Sequence, residues 1–267
     1  MLTRIKNWLH GNKIYFDTVV PLALGVAAII IGIATYKIAN KQATMTLGQS
    51  LPLIHVDAQW TWSGNPSEPY EETLVVSNSN QNDAVFFKDL KVYPATLLEI
   101  ASSTDYGVFP WWGIVAISDF YGSPSYSQEM KGQIASCTKS GNIQAEWEIE
   151  RQFSDYSWAQ HEQPYPEIER YVEVQYQDAS GEEHSQYFHV DPLQGTTELT
   201  GETAISAAQQ MIDLYRNADV AGISISISGT TLDVLLQKVA VSRQVLKDYP
   251  SAELLMENRL VVSITIP

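Results

Sequence analysis

Residues Thr18 to Tyr36 read TVVPLALGVAAIIIGIATY, 19 residues without a charged side chain. A helix rises about 1.5 Å per residue and the hydrocarbon core of a bilayer is about 30 Å thick, so this run has the length of one membrane crossing. No other stretch of the 267 residues approaches it. A core helix of a soluble protein is usually shorter and apolar on one face only. A cleaved secretory signal has an apolar core of about 7–15 residues and a small-residue cleavage site. Here the core is longer, and Thr35-Tyr36-Lys37-Ile38-Ala39 contains no A-x-A. The expectation is a retained signal anchor over residues 18–36, with the lipid bilayer as its partner. Residues 1–17 form a flank before it and the polar residues 37–50 a stalk after it.

Charge around the anchor sets the expected orientation. Arg4, Lys6 and Lys13 precede it; Lys37 and Lys41 follow it. By the positive-inside tendency the N-terminus faces the cytoplasm and the larger C-terminal portion lies outside the inner membrane. Trp8, Tyr15 and Tyr36 flank the span where interfacial aromatics belong.

The remaining 226 residues are strongly acidic. The flank, anchor and first stalk residues hold five of the 16 Lys and Arg and one of the 31 Asp and Glu, leaving a net charge of −19 over residues 42–267. That charge disfavours nucleic acid and anionic headgroups, which need a basic footprint. Cys137 is the single cysteine, so no internal disulfide and no multi-thiolate zinc site can form. No phosphate-binding glycine loop, dinucleotide fingerprint, G-x-S-x-G elbow or H-E-x-x-H pair occurs. The pairing of Ser136-x-x-Lys139 with Lys139-Ser140-Gly141 shares one lysine between two roles and is not a penicillin-binding signature. The expected protein is not an enzyme and carries no cofactor or metal.

From Leu51 the hydropathy period becomes that of strands. Leu53–Trp62, Glu72–Ser77, Ala84–Tyr93 and Ile114–Ser118 are candidates. In Gln144–Phe153, Ala145, Trp147, Ile149 and Phe153 alternate with glutamates, which predicts a half-buried strand whose outer face carries Glu146, Glu148 and Glu150. Glu169–Gln177 and Glu182–Val190 flank the turn Asp178-Ala179-Ser180-Gly181 and predict a hairpin, with Val172, Val174 and Tyr176 on one face. The expected architecture over residues 51–195 is an antiparallel β-sandwich, immunoglobulin-like in layering only.

Residues 196–267 change character and predict a small α/β unit, packed with the sandwich or beside it. Glu202–Asn217 places Ile205, Ala208, Ile212 and Tyr215 on one helical stripe, and GISISIS at 222–228 alternates as a strand. Thr230-Thr231-Leu232-Asp233 resembles a capping box that opens a helix to about Lys247. Arg259–Ile266 predicts a terminal strand.

Aromatic loop residues supply the candidate binding groups. Tyr106 to Gly113 contains adjacent Trp111 and Trp112, which on a strand point to opposite faces. Residues 153–166, read as a proline-containing loop, add Tyr156 and Trp158. Loops on a rigid sandwich commonly carry binding, and exposed Trp and Tyr anchor partners. The expected function is a membrane-anchored binding or scaffolding module that contacts a protein partner. A glycan-binding envelope protein and an accessory subunit of a larger transport or secretion complex are the alternatives.

Overall fold

The computed structural model describes residues 2–13, 20–62, 69–80, 86–103, 111–160 and 163–250. Two compact units divide the chain, Met1–Leu51 and Pro52–Pro267.

The first unit is helical. Helix α1 (Leu2–Gly11) is followed by α2 (Val20–Ser50), 31 residues that run through the apolar segment and on through the polar residues 37–50. Val20–Ala39 is long and apolar enough to cross a membrane, and none of it is buried against protein. Leu22, Leu24, Ile29, Ile30 and Ile31 are each more than half exposed. An exposed apolar surface of this kind is compatible with a membrane anchor or a signal sequence.

The second unit layers two sheets. The smaller has the order β1-β2-β6-β5, from β1 (Ile54–Trp62), β2 (Pro69–Asn78), β5 (Ser125–Tyr126) and β6 (Gly132–Thr138). The larger has the order β10-β4-β3-β7-β8-β9, from β3 (Phe87–Ser103), β4 (Trp111–Ile117), β7 (Gln163–Asp178), β8 (Glu183–Asp191), β9 (Gly195–Glu198) and β10 (Ser224–Ile225). Every pairing is antiparallel except β10 against β4. The core between the sheets is built from alternate residues. β1 supplies Ile54 and Val56, β2 Leu74 and Val76, and β7 Val172, Val174 and Tyr176. Such period-2 rows are what the pleat demands of a sheet with one buried face.

The long pair β3–β7 holds register from Phe87↔Asp178 to Ser103↔Gln163, with one irregularity between Lys88 and Lys91. The sequence predicts a strand over Ala84–Tyr93 and leaves Ala95–Ala101 open between a short helix and a strand; the strand runs on through Pro94 to Ser103. At Pro94 only the β7 edge is paired, since pairing with β4 begins at Leu97. A residue without an N–H is tolerated there.

Three helices clothe the sheets. α4 (Glu202–Ala221) packs on the outer face of the larger sheet, with Ala208, Met211 and Ile212 against Leu97, Ile114 and Tyr171. It ends at Gly222, whose left-handed φ of 75° lets its own amide return to Asp219 and that of Ile223 to Ala218. α5 (Leu232–Val245) lies against β4 so closely that a Cβ on Gly113 would stand 2.5 Å from Ser242 Oγ. Thr231 is its N-cap, but no side-chain capping bond forms. Residues predicted as a small α/β unit, packed with the sandwich or beside it, supply an edge strand and two covering helices to the larger sheet. The predicted terminal strand lies outside the described residues.

One element differs outright from its predicted type. Residues Asn142–Gln160 form a helix, α3, not a strand and loop. Ile143, Ile149 and Phe153 are its buried apolar residues, spaced for one helical face. The alternation around Trp147 satisfied period 2 by coincidence of a short window.

Candidate functional site

At the same end of the sandwich two inward-facing rows turn charged and a third turns aromatic. On β1 the row Ile54, Val56, Ala58 continues to Trp60 and Trp62. On β2 the row Val76, Leu74 continues to Glu72, which has no exposed surface. On β7 the row Val174, Val172 continues to Arg170 and then Ile168. Trp60 stands opposite Glu72 in the β1–β2 register. α3 closes this end, and the result is a cleft of about 500 Å³.

Asn142 sets the position of α3. Its side chain accepts from the Glu72 amide at 2.8 Å and donates to the Glu72 and Phe120 carbonyls at 2.9 and 3.2 Å. From that point the helical period brings Glu146 and Glu150, four residues apart, together with Trp147 to the cleft wall. Glu148, on the other face, is exposed and paired with Arg151 at 2.6 Å.

The floor holds a buried charge network. Arg170 donates from Nε to Glu72 Oε1 at 2.7 Å, from Nη2 to Glu146 Oε2 at 3.1 Å and from Nη1 to the Ile168 carbonyl at 2.8 Å. Its guanidinium stacks over the Phe120 ring, 5.0 Å from the centroid. Tyr121 donates its hydroxyl to Glu72 Oε1, and Trp60 Nε1 donates to Oε2 at 3.1 Å. A buried pair of this kind persists only when its remaining donors and acceptors are satisfied, as they are for Glu72. Burial opposes the Arg170 charge, but Glu146 and Glu72 outweigh it and hold its pKa above the ordinary value. Burial raises Glu146 to about 7 despite Arg170, with help from Glu72 and Glu150. Burial also raises Glu150.

The opposite wall comes from β7, β8 and the turn after β8. Pairing between β7 and β8 stops at Tyr171↔His189, so β8 departs and opens the cleft there. His189 Nε2 lies 2.6 Å from Glu169 Oε2, and burial holds its pKa below the ordinary value. Glu167, Asp191 and Leu193 complete this wall. Trp60 and Trp62 meet at 6.2 Å between centroids with 74° between ring planes, so the aromatic wall is a corner and not a flat platform.

Of the aromatic residues singled out in the sequence, Tyr156 is not among the described residues that line this cleft. Trp111 and Trp112 open β4, opposite Ser102 and Ala101 of β3. Trp158 is on α3; its side chain, like those of Trp111 and Trp112, lies outside the described residues. Tyr156 is half-buried on α3. What the sequence reading missed was Trp60, Trp62, Trp147, Glu72 and Arg170. The available signal was a charged residue at inward parity: Glu72 in line with Leu74 and Val76, Arg170 in line with Val172 and Val174.

Two other clusters resolve as structure. Asp178 accepts from the Ser180 amide and hydroxyl, the Glu182 amide and His184, and so closes the β7–β8 turn. Those bonds, Ser180 first and His184 next, hold its carboxyl below the usual range. With Glu182 and His184 it forms a compact donor group, already occupied in closing the turn. Cys137 is buried in the core, where desolvation pushes its thiol up to about 11.

No protein-family model matches this chain, and no curated protein matches it.

Proposed function

We propose that this chain is a membrane-anchored binding protein. α2 fixes it in the inner membrane with the N-terminus in the cytoplasm, and the unit from Pro52 onward docks a protein partner outside through the cleft at the end of its sandwich. One observation carries the docking reading: apolar core rows give way together to a concave surface of tryptophans and carboxylates. Its rim is suited to a protein. Leu193, 82% exposed, and Trp62, 46% exposed, both border the cleft. Large rim side chains around a deeper aromatic centre are the usual anatomy of a contact hot spot. The accessory-subunit alternative is a case of the same reading. The Trp60–Trp62 corner argues against the glycan alternative, because sugar rings stack on flat aromatic faces.

Glu146 favours a second reading, acid–base chemistry, since a carboxyl near 7 is poised to exchange a proton at neutral pH. The same shift follows from burial beside Glu72, and binding needs no further group to be invoked.

A photoactivatable amino acid at position 193 of the full chain, in native membranes, tests docking. We expect one discrete cross-linked species from position 193 and none from Val220, which is 95% exposed on α4 and does not border the cleft. No species at 193, or the same species at 220, overturns it.

A further inference from the structure

We propose that the cleft receives a lysine or arginine side chain presented by an exposed segment of the partner protein. This rests on the reading of the cleft as the docking site and names the chemistry it selects.

Charge is the first argument. Glu146, Glu150, Glu167, Glu169 and Asp191 border the cleft against one arginine. Arg170 contributes little field outward, because its guanidinium is buried and held by Glu72, Glu146 and the Ile168 carbonyl. Glu150 and Glu167 are exposed at the mouth, and the apolar walls of Trp60, Trp62, Trp147 and Ile168 focus their field into the cleft. The surrounding surface has the same sign, with a net charge of −19 over residues 42–267, so a basic partner is steered toward it.

Shape is the second argument. Trp60 and Trp62 form a corner of nearly perpendicular indoles, and Trp147 adds a third from α3. A corner surrounds a compact ammonium or the tip of a guanidinium, and indole is the strongest cation–π partner among the side chains. The alkyl stem of lysine or arginine then packs on the apolar lining.

The third argument selects a protein as the source of the cation. About 500 Å³ exceeds what one side chain fills, and Leu193 projects beside the cleft where a small free amine would not reach. A side chain on an extended segment occupies the cleft while its neighbours cover the Leu193 and Trp62 rim.

The test is fluorescence anisotropy with the full chain in phosphatidylcholine nanodiscs, a zwitterionic bilayer that does not itself collect cations. The probe is a dye-labelled Gly/Ser/Lys peptide, compared with its arginine and norleucine counterparts. The lysine and arginine peptides should bind, and the norleucine peptide should bind at least about tenfold more weakly. Glu150→Gln and Trp62→Ala should each weaken binding about five- to tenfold. Both side chains are exposed, so circular dichroism should be unchanged. Glu148→Gln removes the same charge from the other face of α3 and should leave affinity unchanged. Equal affinity for the norleucine peptide, or equal loss on Glu148→Gln, overturns the proposal. So does butylammonium that displaces the peptide at concentrations equal to the peptide's own affinity, which would make the ligand a small amine. If the lysine peptide fails to bind while position 193 still cross-links, the cation inference falls and the docking site stands; if the cross-link is absent too, the docking reading falls with it.

Discussion

Glu146 is the residue on which the electrostatics of the cleft turn. In the unfolded chain its carboxyl ionises near 4.5; in the folded protein burial raises it to about 7. Between these values the folded state retains a proton that the unfolded state has lost. Stability contributed by this proton is therefore complete below about pH 4.5, falls as pH rises, and is gone above about pH 7. Glu146→Gln keeps an acceptor for Arg170 and removes the titration. We expect its unfolding free energy to gain on the parent by up to about 3 kcal/mol between pH 4.5 and 7.5, read from denaturant unfolding at several pH values. A constant difference across that range would show that Glu146 titrates normally. Arg170 is the converse case. It stays charged throughout, and its loss would leave Glu72 buried without its cation.

Among the elements, α3 carries the cleft and was the least legible in the sequence. Its buried face holds Asn142 and Glu146 beside Ile143, Ile149 and Phe153, so no purely apolar helical stripe exists to read. Those polar residues are tolerated because partners distant in sequence satisfy them: Glu72 and Phe120 for Asn142, Arg170 for Glu146. A periodicity argument cannot anticipate such partners. The β7–β8 hairpin shows the opposite case. Its two apolar faces and its Asp178 turn are local, and Val172, Val174, Tyr176, Phe188 and Val190 are all buried as their alternation requires. Asn142→Ala tests the tether of α3. It strands the Glu72 amide and carbonyl in the interior, so we expect a loss of about 2–4 kcal/mol in chemical denaturation. Asn142→Asp, which restores the acceptor alone, should recover only part of it. A loss below about 0.5 kcal/mol would mean that α3 is held by its apolar contacts alone.

For the whole molecule, the apolar segment was readable because its length and composition stand in a single stretch of chain. The two-sheet layering was readable from period-2 alternation. The merging of the C-terminal residues into the larger sheet was not, because the short parallel strand β10 pairs with β4 residues 108 positions earlier in sequence. The cleft was equally hidden, since it forms only where β1, α3 and β7, far apart in sequence, come together. On the proposed function, the protein is a bilayer-held platform that presents this cleft outside the inner membrane. Cys137 is the only cysteine and is buried, so Leu193→Cys creates one accessible thiol at the cleft rim. Treating intact cells with a membrane-impermeant maleimide and then separating membranes from soluble protein tests anchor and presentation together. We predict a labelled chain that stays with the membranes through alkaline extraction. Labelling only after the inner membrane is permeabilised, or a labelled chain in the soluble fraction, would contradict the account.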